Sequence, residues 1–153
     1  MVLWQRQDQT EVNRWENSHP ITDCKFSNDG SIMTWMGGGS LYLRNHDSTQ
    51  SYYGYFDISP NASQMSFTND DLEIAILSSD VILPDFRRVD FIDYTTLPIS
   101  TSRTLNIGHK AVMMSLHPSA DELAIATLSN LVAFYSASTD SESEIVSSRI
   151  ATV

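Results

Sequence analysis

Apolar and polar residues alternate in short runs along most of the chain, and turn-forming residues separate the runs. One pattern, apolar-x-x-apolar-x-apolar followed by a polar turn, occurs three times and ends at Phe26, Phe67 and Leu116. Alternation with a period of two is typical of half-buried β-strands, and Gly, Asn and Asp at the breaks are typical of hairpin turns. No window shows helical spacing over three turns, so we predict an all-β, antiparallel fold.

The predicted strands form one short unit and three complete units of four strands, which span residues 1–18, 19–58, 59–108 and 109–153. Phe26 and Phe67 are 41 residues apart, whereas Phe67 and Leu116 are 49 apart, which makes the second complete unit longer. The extra length is assigned to residues 81–88, between its second and third strands. A period near 40 that holds four strands is typical of a β-propeller blade.

The first strand of each complete unit ends in a bulky apolar residue. We therefore expect Phe26, Phe67 and Leu116 to be buried. Cys24 occupies an apolar position of the same pattern and is expected to act as a small hydrophobe. It is the only cysteine, which excludes an internal disulfide and a zinc site built from cysteines.

A family resemblance rests on the last unit. Gly108-His109 lies 26 residues before the aromatic Tyr135, and this arrangement resembles the Gly-His and Trp-Asp signature of the WD40-repeat family. His19 is a weaker equivalent of that histidine. The Trp-Asp pair itself is replaced by Trp4-Gln5, Arg44-Asn45, Ile92-Asp93 and Tyr135-Ser136.

The resemblance implies a buried hydrogen-bond chain in the last blade, formed by His109, Thr127, Asn130 and Tyr135. A TolB-like or other propeller would share the same blade period. About three and a half blades are predicted, whereas closed propellers have roughly four to eight. The chain would then be a part of a larger propeller, a half that pairs with a second copy, or a subunit that docks on another propeller protein.

The composition of the chain limits the classes of partner that we expect. Nineteen acidic and nine basic residues give a formal net charge of -10, which opposes binding to phosphate backbones, so no nucleic-acid partner is expected. The start of the chain lacks the apolar run of a signal peptide, and no run is long enough to span a membrane. These features predict an intracellular protein, cytoplasmic or nuclear, with no membrane partner.

No pattern predicts catalysis. Gly39-Ser40 lies outside any Gly-x-Ser-x-Gly motif. Asp70 and Asp71 lie at a hairpin turn, where exposure is expected to leave their pKa values unshifted. Four histidines are too dispersed for a local metal pair: His19, His46, His109 and His117. We predict no catalytic residue, no metal and no cofactor.

The segment 81–88 is the candidate protein-binding loop. It contains Asp85, Phe86, Arg87 and Arg88, and aromatic and arginine side chains are enriched at interface hot spots. The adjacent arginines would attract an acidic peptide to this acidic chain. The alternatives are an extension of the two flanking strands with Phe86 packed against the blade, or arginines that simply pair with neighbouring aspartates.

The predicted function is a non-enzymatic, WD40-like protein-interaction scaffold or a subunit of a larger complex. Its partner would be a protein, either as an acidic peptide or as a second chain that completes the propeller. The alternative is part of a propeller-type hydrolase or a lectin-like propeller, with Trp4, Trp15 and Trp35 as stacking surfaces for a ligand.

Overall fold

The computed structural model describes residues 2–4, 11–14, 18–45, 54–79, 87–107, 110–117, 122–128, 131–136 and 142–146. All the regular secondary structure within these ranges is β-strand. The strands are β1 (Val2–Trp4), β2 (Glu11–Arg14), β3 (Asp23–Phe26), β4 (Ile32–Gly37), β5 (Ser40–Asn45), β6 (Gly54–Asp57), β7 (Ala62–Phe67), β8 (Glu73–Ser79), β9 (Arg87–Asp93), β10 (Ser100–Ile107), β11 (Ala111–Leu116), β12 (Glu122–Thr127), β13 (Val132–Ser136) and β14 (Glu142–Val146). In the part of the chain so described, no helix is long and apolar enough to cross a membrane.

The strands form three antiparallel meanders and one pair. β3 to β6 make the first sheet, β7 to β10 the second and β11 to β14 the third, each with neighbouring strands hydrogen-bonded in sequence order. β1 and β2 form a separate two-stranded sheet. The all-β fold and the three four-stranded units predicted from the period are therefore confirmed.

The sheets pack face to face along the chain. β7 lies beside both β3 and β11, so the first strands of the three sheets are neighbours. One core cluster fills the space between the first and second sheets: Ile32, Met36, Leu41, Leu43, Ala62, Met65, Phe67, Ile74, Ile76, Ile92 and Tyr94. The other fills the space between the second and third sheets: Ala75, Leu77, Val89, Phe91, Leu105, Ile107, Ala111, Leu123, Ile125, Ala133 and Tyr135.

The repeated first-strand residue is not buried equally in the three sheets. Phe67 is 6% exposed, as expected, and Leu116 is partly buried against the second sheet. Phe26 is 46% exposed, and Cys24 on the same strand is exposed too. The expectation of burial is wrong for both, because Phe67 belongs to the core between the first and second sheets and Leu116 packs on the core between the second and third, whereas Phe26 and Cys24 belong to neither core.

Side chains of one first strand bind the backbone of the next. Asp23 Oδ2 accepts a hydrogen bond from the Met65 N–H at 3.0 Å, and Gln64 Oε1 accepts one from the Met114 N–H at 2.9 Å. Asp23 lies opposite Met36 in its hairpin, as Gln64 lies opposite Leu77 in the next, so the two acceptors occupy equivalent positions. These bonds join neighbouring sheets through their first strands.

The turns after β3 and β7 hold a carboxylate in the same way. The Ser27 hydroxyl donates to Asp29 Oδ1 at 2.6 Å, and the Thr68 hydroxyl donates to Asp70 Oδ1 at 2.7 Å. These hydroxyl donors are the main reason that the pKa of Asp29 and the pKa of Asp70 lie below the ordinary value of 3.8. The expectation that the Asp70 turn leaves its pKa unshifted is wrong, since the hydroxyl stabilises the charged form.

Acid should therefore destabilise the fold through these turns. A carboxyl group whose pKa is lower in the folded state stabilises the protein above its unfolded pKa, and this contribution is lost as the pH falls through the folded pKa. We expect the urea midpoint to begin to fall below the ordinary Asp value of 3.8. The Asp70→Asn variant should show a smaller loss on acidification than the wild type. Equal pH profiles for the two proteins would contradict this assignment.

Candidate functional site

Two residues of the predicted binding segment belong to a strand. Asp85 and Phe86 lie outside the described residues, and their predicted role stays a prediction. Arg87 and Arg88 belong to β9, where they pair with Ser79 and Ser78 of β8. The predicted segment 81–88 therefore extends two residues too far, because β9 begins at Arg87, two residues before the start that the apolar pattern indicates.

The two arginines do not act as a pair. Successive side chains of a strand point to opposite faces of the sheet, so Arg87 and Arg88 face different ways. Arg88 shares its face with Asp90 and with Ile92, which belongs to the core toward the first sheet. Only Arg88 can therefore contribute to a site at the seam between the first and second sheets.

A groove of about 520 Å³ lies at that seam. We call it the seam groove; it is lined by Phe56, Asp57, Ile58, Ser59, Pro60, Arg88, Asp90, Ile92, Thr101 and Thr104. Its first wall is the end of β6 and the following connection, and its second wall is formed by β9 and β10. Of these residues, sequence reasoning proposes only Arg88 for a site, because the two walls come from separate segments of the chain that share no motif.

One ion pair and one hydrogen bond fix the polar wall of the seam groove. Arg88 Nε lies 2.9 Å from Asp90 Oδ2, and the Thr104 hydroxyl donates to Asp90 Oδ1 at 2.7 Å. The Arg88 side chain is 43% exposed and the Asp90 side chain 13%. The alternative in which an arginine pairs with a neighbouring aspartate is thus observed at Arg88. With Asp57 also present, the groove contains two carboxylates and one guanidinium.

The structure describes only two of the four residues in the predicted hydrogen-bond chain of the last blade, Thr127 and Tyr135. Thr127 Oγ1 donates to the Leu131 carbonyl and accepts from the Leu131 N–H, both at 3.3 Å. Tyr135 is 3% exposed in the core. His109 and Asn130 lie outside the described residues, so the chain as a whole stays a prediction.

Other candidate residues have structural surroundings. His19 packs directly on Gly38, where an added Cβ would lie 2.4 Å from the imidazole Cγ. Trp35 is 6% exposed and stacks on Tyr42 with ring centroids 5.4 Å apart, so it offers no open stacking surface and that expectation is wrong. The side chains of Trp4 and Trp15 lie outside what is described. Among the described residues, no three His, Cys, Asp or Glu side chains cluster closely enough to hold a metal ion.

Searches with the sequence found no match, whereas the structure resembles solved structures. No protein-family model and no curated protein sequence matches the chain. A chain of the mitotic checkpoint complex matches with a TM-score of 0.75 and 13% identity, over 95% of this chain and 43% of that one. A putative 6-phosphogluconolactonase from Bacteroides fragilis matches with a TM-score of 0.62 and 11% identity, over 76% of this chain and 34% of that one.

Identities this low show the fold and no more. The chain spans less than half the length of either matched chain. Its described part consists of three antiparallel four-stranded sheets in series together with a two-stranded sheet. The fold is therefore that of a β-propeller, and the described residues form three four-stranded blades and one two-stranded sheet.

Proposed function

We propose that this chain is the non-enzymatic, WD40-like protein-interaction part of a propeller, and that its seam groove holds a segment of a protein partner. The observation that carries the proposal is the groove itself, about 520 Å³ in volume and lined by residues of two neighbouring blades. Ligand sites of this size commonly lie between structural units. An intracellular location belongs to the same proposal.

The two walls of the seam groove suit a peptide. Phe56, Ile58 and Pro60 supply apolar surface on one side. Asp90 and Thr104 supply fixed polar atoms on the other, and their mutual hydrogen bond holds them in place before a partner arrives. An extended peptide presents alternate side chains to opposite sides, so it can place apolar and polar side chains on the matching walls.

The charge of the groove favours a neutral or basic segment over an acidic one. Arg88 is already paired with Asp90, and Asp57 adds a second carboxylate to the lining. The formal net charge of -10 adds long-range attraction for basic partners. We therefore revise the acidic peptide expected from the two adjacent arginines, since only Arg88 lines the groove and its charge is offset there.

The experiment is a selection of displayed random peptides against the folded chain, followed by titration of the selected peptides. Selected sequences should be rich in apolar residues with Lys or Arg. The Thr101→Lys variant places a long cationic side chain at the exposed groove lining and should weaken their binding by about tenfold or more.

The matched control is Asn69→Lys, which adds the same charge at an exposed turn residue outside the groove lining. It should leave peptide affinity within about twofold of wild type, apart from weak long-range repulsion. Peptides that bind both variants equally well, or selected peptides that are mainly acidic, would contradict the proposal.

The hydroxyl and carboxylate groups of the groove also favour a second candidate, a lectin-like site for a sugar. Asp57, Thr101 and Thr104 are groups that hydrogen-bond to a polyol. A thermal-shift panel of mono- and disaccharides distinguishes the two candidates, because a ligand that binds only the folded state raises its melting temperature. A sugar that stabilises the wild type and fails to stabilise Thr101→Lys would favour this candidate.

A further inference from the structure

The last strand of the first sheet forms part of the seam groove. The strand order of that sheet is β3-β4-β5-β6, so among the described strands β6 pairs with β5 alone. Phe56 and Asp57 of this strand line the groove. The site therefore includes an edge of a β-sheet, and the N–H and C=O groups along such an edge can pair with a further strand.

The hydrogen bond of Ile58 shows which backbone groups of β6 face that edge. The Ile58 N–H donates to the Gly39 carbonyl at 2.8 Å. These two residues continue the register in which Ser40 lies opposite Asp57. In an antiparallel pair, alternate residues bond to the partner strand, and the residues between them point their N–H and C=O groups the other way. Phe56 and Ile58 therefore bond to β5, whereas the N–H and C=O of Asp57 point to the outer edge.

These two backbone groups of Asp57 are open to a partner. Asp57 is exposed, and within the described ranges no residue bonds to its N–H or its C=O. Polar backbone groups of this kind are bonded to water unless another chain replaces it. Asp57 thus offers one donor and one acceptor at the groove, which match the acceptor and the donor of an extended main chain.

The wall that carries this edge is held in place within the chain. The connection after β6 turns at once, since the Ala62 N–H donates to the Ser59 carbonyl at 3.0 Å. It is also joined to the end of β8, where the Ser79 N–H donates to the Asn61 carbonyl at 3.4 Å. The Ser59 hydroxyl donates to the Ser79 carbonyl, also at 3.4 Å. Because these bonds already order the wall, binding orders little further chain there.

The facing wall lies within reach of the side chains of an added strand. Thr101 lies opposite Ile92 and Thr104 lies opposite Asp90, so all four side chains share the face of the second sheet that is turned to the first. Paired strands lie about 4.8 Å apart and packed sheets about 10 Å apart. A strand beside β6 therefore passes over this face and places alternate side chains on it.

The available edge is short. A Cβ added at Gly54 would lie 2.8 Å from Cδ1 of Ile99, so that side chain fills the space between the sheets at the start of β6. Pro60 lines the other end of the groove, after the strand has ended at Asp57. With four residues, β6 is about 14 Å long. The edge thus suits a short extended segment and not a whole sheet of a partner.

We propose that the partner segment in the seam groove adds a strand to the edge of β6, bonded through its main chain to the N–H and C=O of Asp57. The inference rests on the proposed function and specifies how the peptide binds. Main-chain bonds supply affinity for extended segments in general, whereas the wall with Thr101, Thr104 and Asp90 selects their side chains. Peptides selected by display should accordingly lack proline at the residue whose N–H is bonded.

Amide hydrogen exchange resolved by NMR tests this arrangement without any substitution. In the unbound chain, the Asp57 N–H should exchange fast and the Ile58 N–H slowly, because only the second is bonded within the chain. A saturating concentration of a selected peptide should slow exchange of the Asp57 N–H by at least about tenfold. A complex in which the Asp57 N–H still exchanges as fast as in the unbound chain would overturn the proposal.

A pair of variants tests the N–H of Asp57 directly. Asp57→Pro removes this outward N–H and breaks no bond to β5, and proline is tolerated at such positions of edge strands. Asp57→Asn is the matched control, since it loses the same charge and retains the N–H. Both variants should give the circular dichroism spectrum of the wild type. The proline variant should bind the selected peptide about fivefold or more weakly than the asparagine variant.

An ester scan of the selected peptide gives a second test, which leaves the chain itself unchanged. Each ester replaces one amide of the peptide and removes one N–H, while every side chain is kept. Affinity should fall by about fivefold or more at one position and stay within about twofold at the two adjacent positions. This contrast is expected because only alternate N–H groups of a strand face its neighbour.

The outcomes separate strand addition from the proposed function. Equal affinities of the two Asp57 variants, together with an ester scan that shows no such contrast, would overturn strand addition. The peptide groove would still stand in that case if Thr101→Lys weakens binding. Selected peptides that are insensitive to Thr101→Lys and leave the Asp57 N–H unprotected would overturn both.

Discussion

Replacement of Phe91 by alanine should lower the free energy of unfolding by about 3–5 kcal/mol. Phe91 is completely buried on β9, in the core between the second and third sheets. The Arg103 guanidinium lies over its ring, 3.8 Å from the centroid, and is itself held by Glu73 at 2.9 Å. The substitution thus creates a cavity between two blades and also removes a cation–π contact.

Urea unfolding followed by circular dichroism measures this change. Phe91→Leu is the matched control, since it keeps most of the apolar volume and loses only the aromatic ring; it should cost about 1–2 kcal/mol. A loss below about 1 kcal/mol for the alanine variant would contradict the packing of the second sheet on the third.

Replacement of Asp71 by alanine should destabilise the fold by about 2 kcal/mol, the second largest effect that we expect. The Asp71 carboxylate accepts the Asn28 N–H at 2.8 Å and the Asp29 N–H at 3.0 Å, and so joins two successive turns. Hydrogen bonds to a charged group are stronger than neutral ones, and partial exposure reduces their contribution here.

A glycine variant distinguishes the loss of these hydrogen bonds from the effect of backbone strain at Asp71. Its φ is 56°, in the region that favours glycine. Asp71→Gly loses the same hydrogen bonds and relieves the backbone, so it should cost about 1 kcal/mol less than Asp71→Ala. Equal stability of the alanine variant and the wild type would show that the two turns are not joined through this carboxylate.

The sequence predicts the sheets well because each depends on local information. Alternation and turn residues mark the strands, and the 41-residue spacing of Phe26 and Phe67 marks the blade. Burial is harder to predict, because it depends on which neighbour covers a face. Phe26 and Phe67 have the same pattern around them, yet one is 46% exposed and the other 6%.

The candidate site shows the same limit. Composition indicates Arg88, and Asp90 follows it two residues later on the same strand, but the hydrogen bond from Thr104 to Asp90 depends on strand register. The facing wall comes from Phe56 to Pro60, at the end of β6 in the first sheet and in the connection that follows it. No local pattern joins these segments, since their proximity arises only when the second sheet packs on the first.

The most direct test of the proposed function is hydrogen exchange of the chain with and without a selected peptide. Binding in the seam groove should slow exchange in the segments Phe56–Pro60 and Arg88–Thr104, while the turns at Asp29 and Asp70 should exchange as in the unbound chain. Protection confined to other parts of the chain, with the groove segments unchanged, would contradict the account.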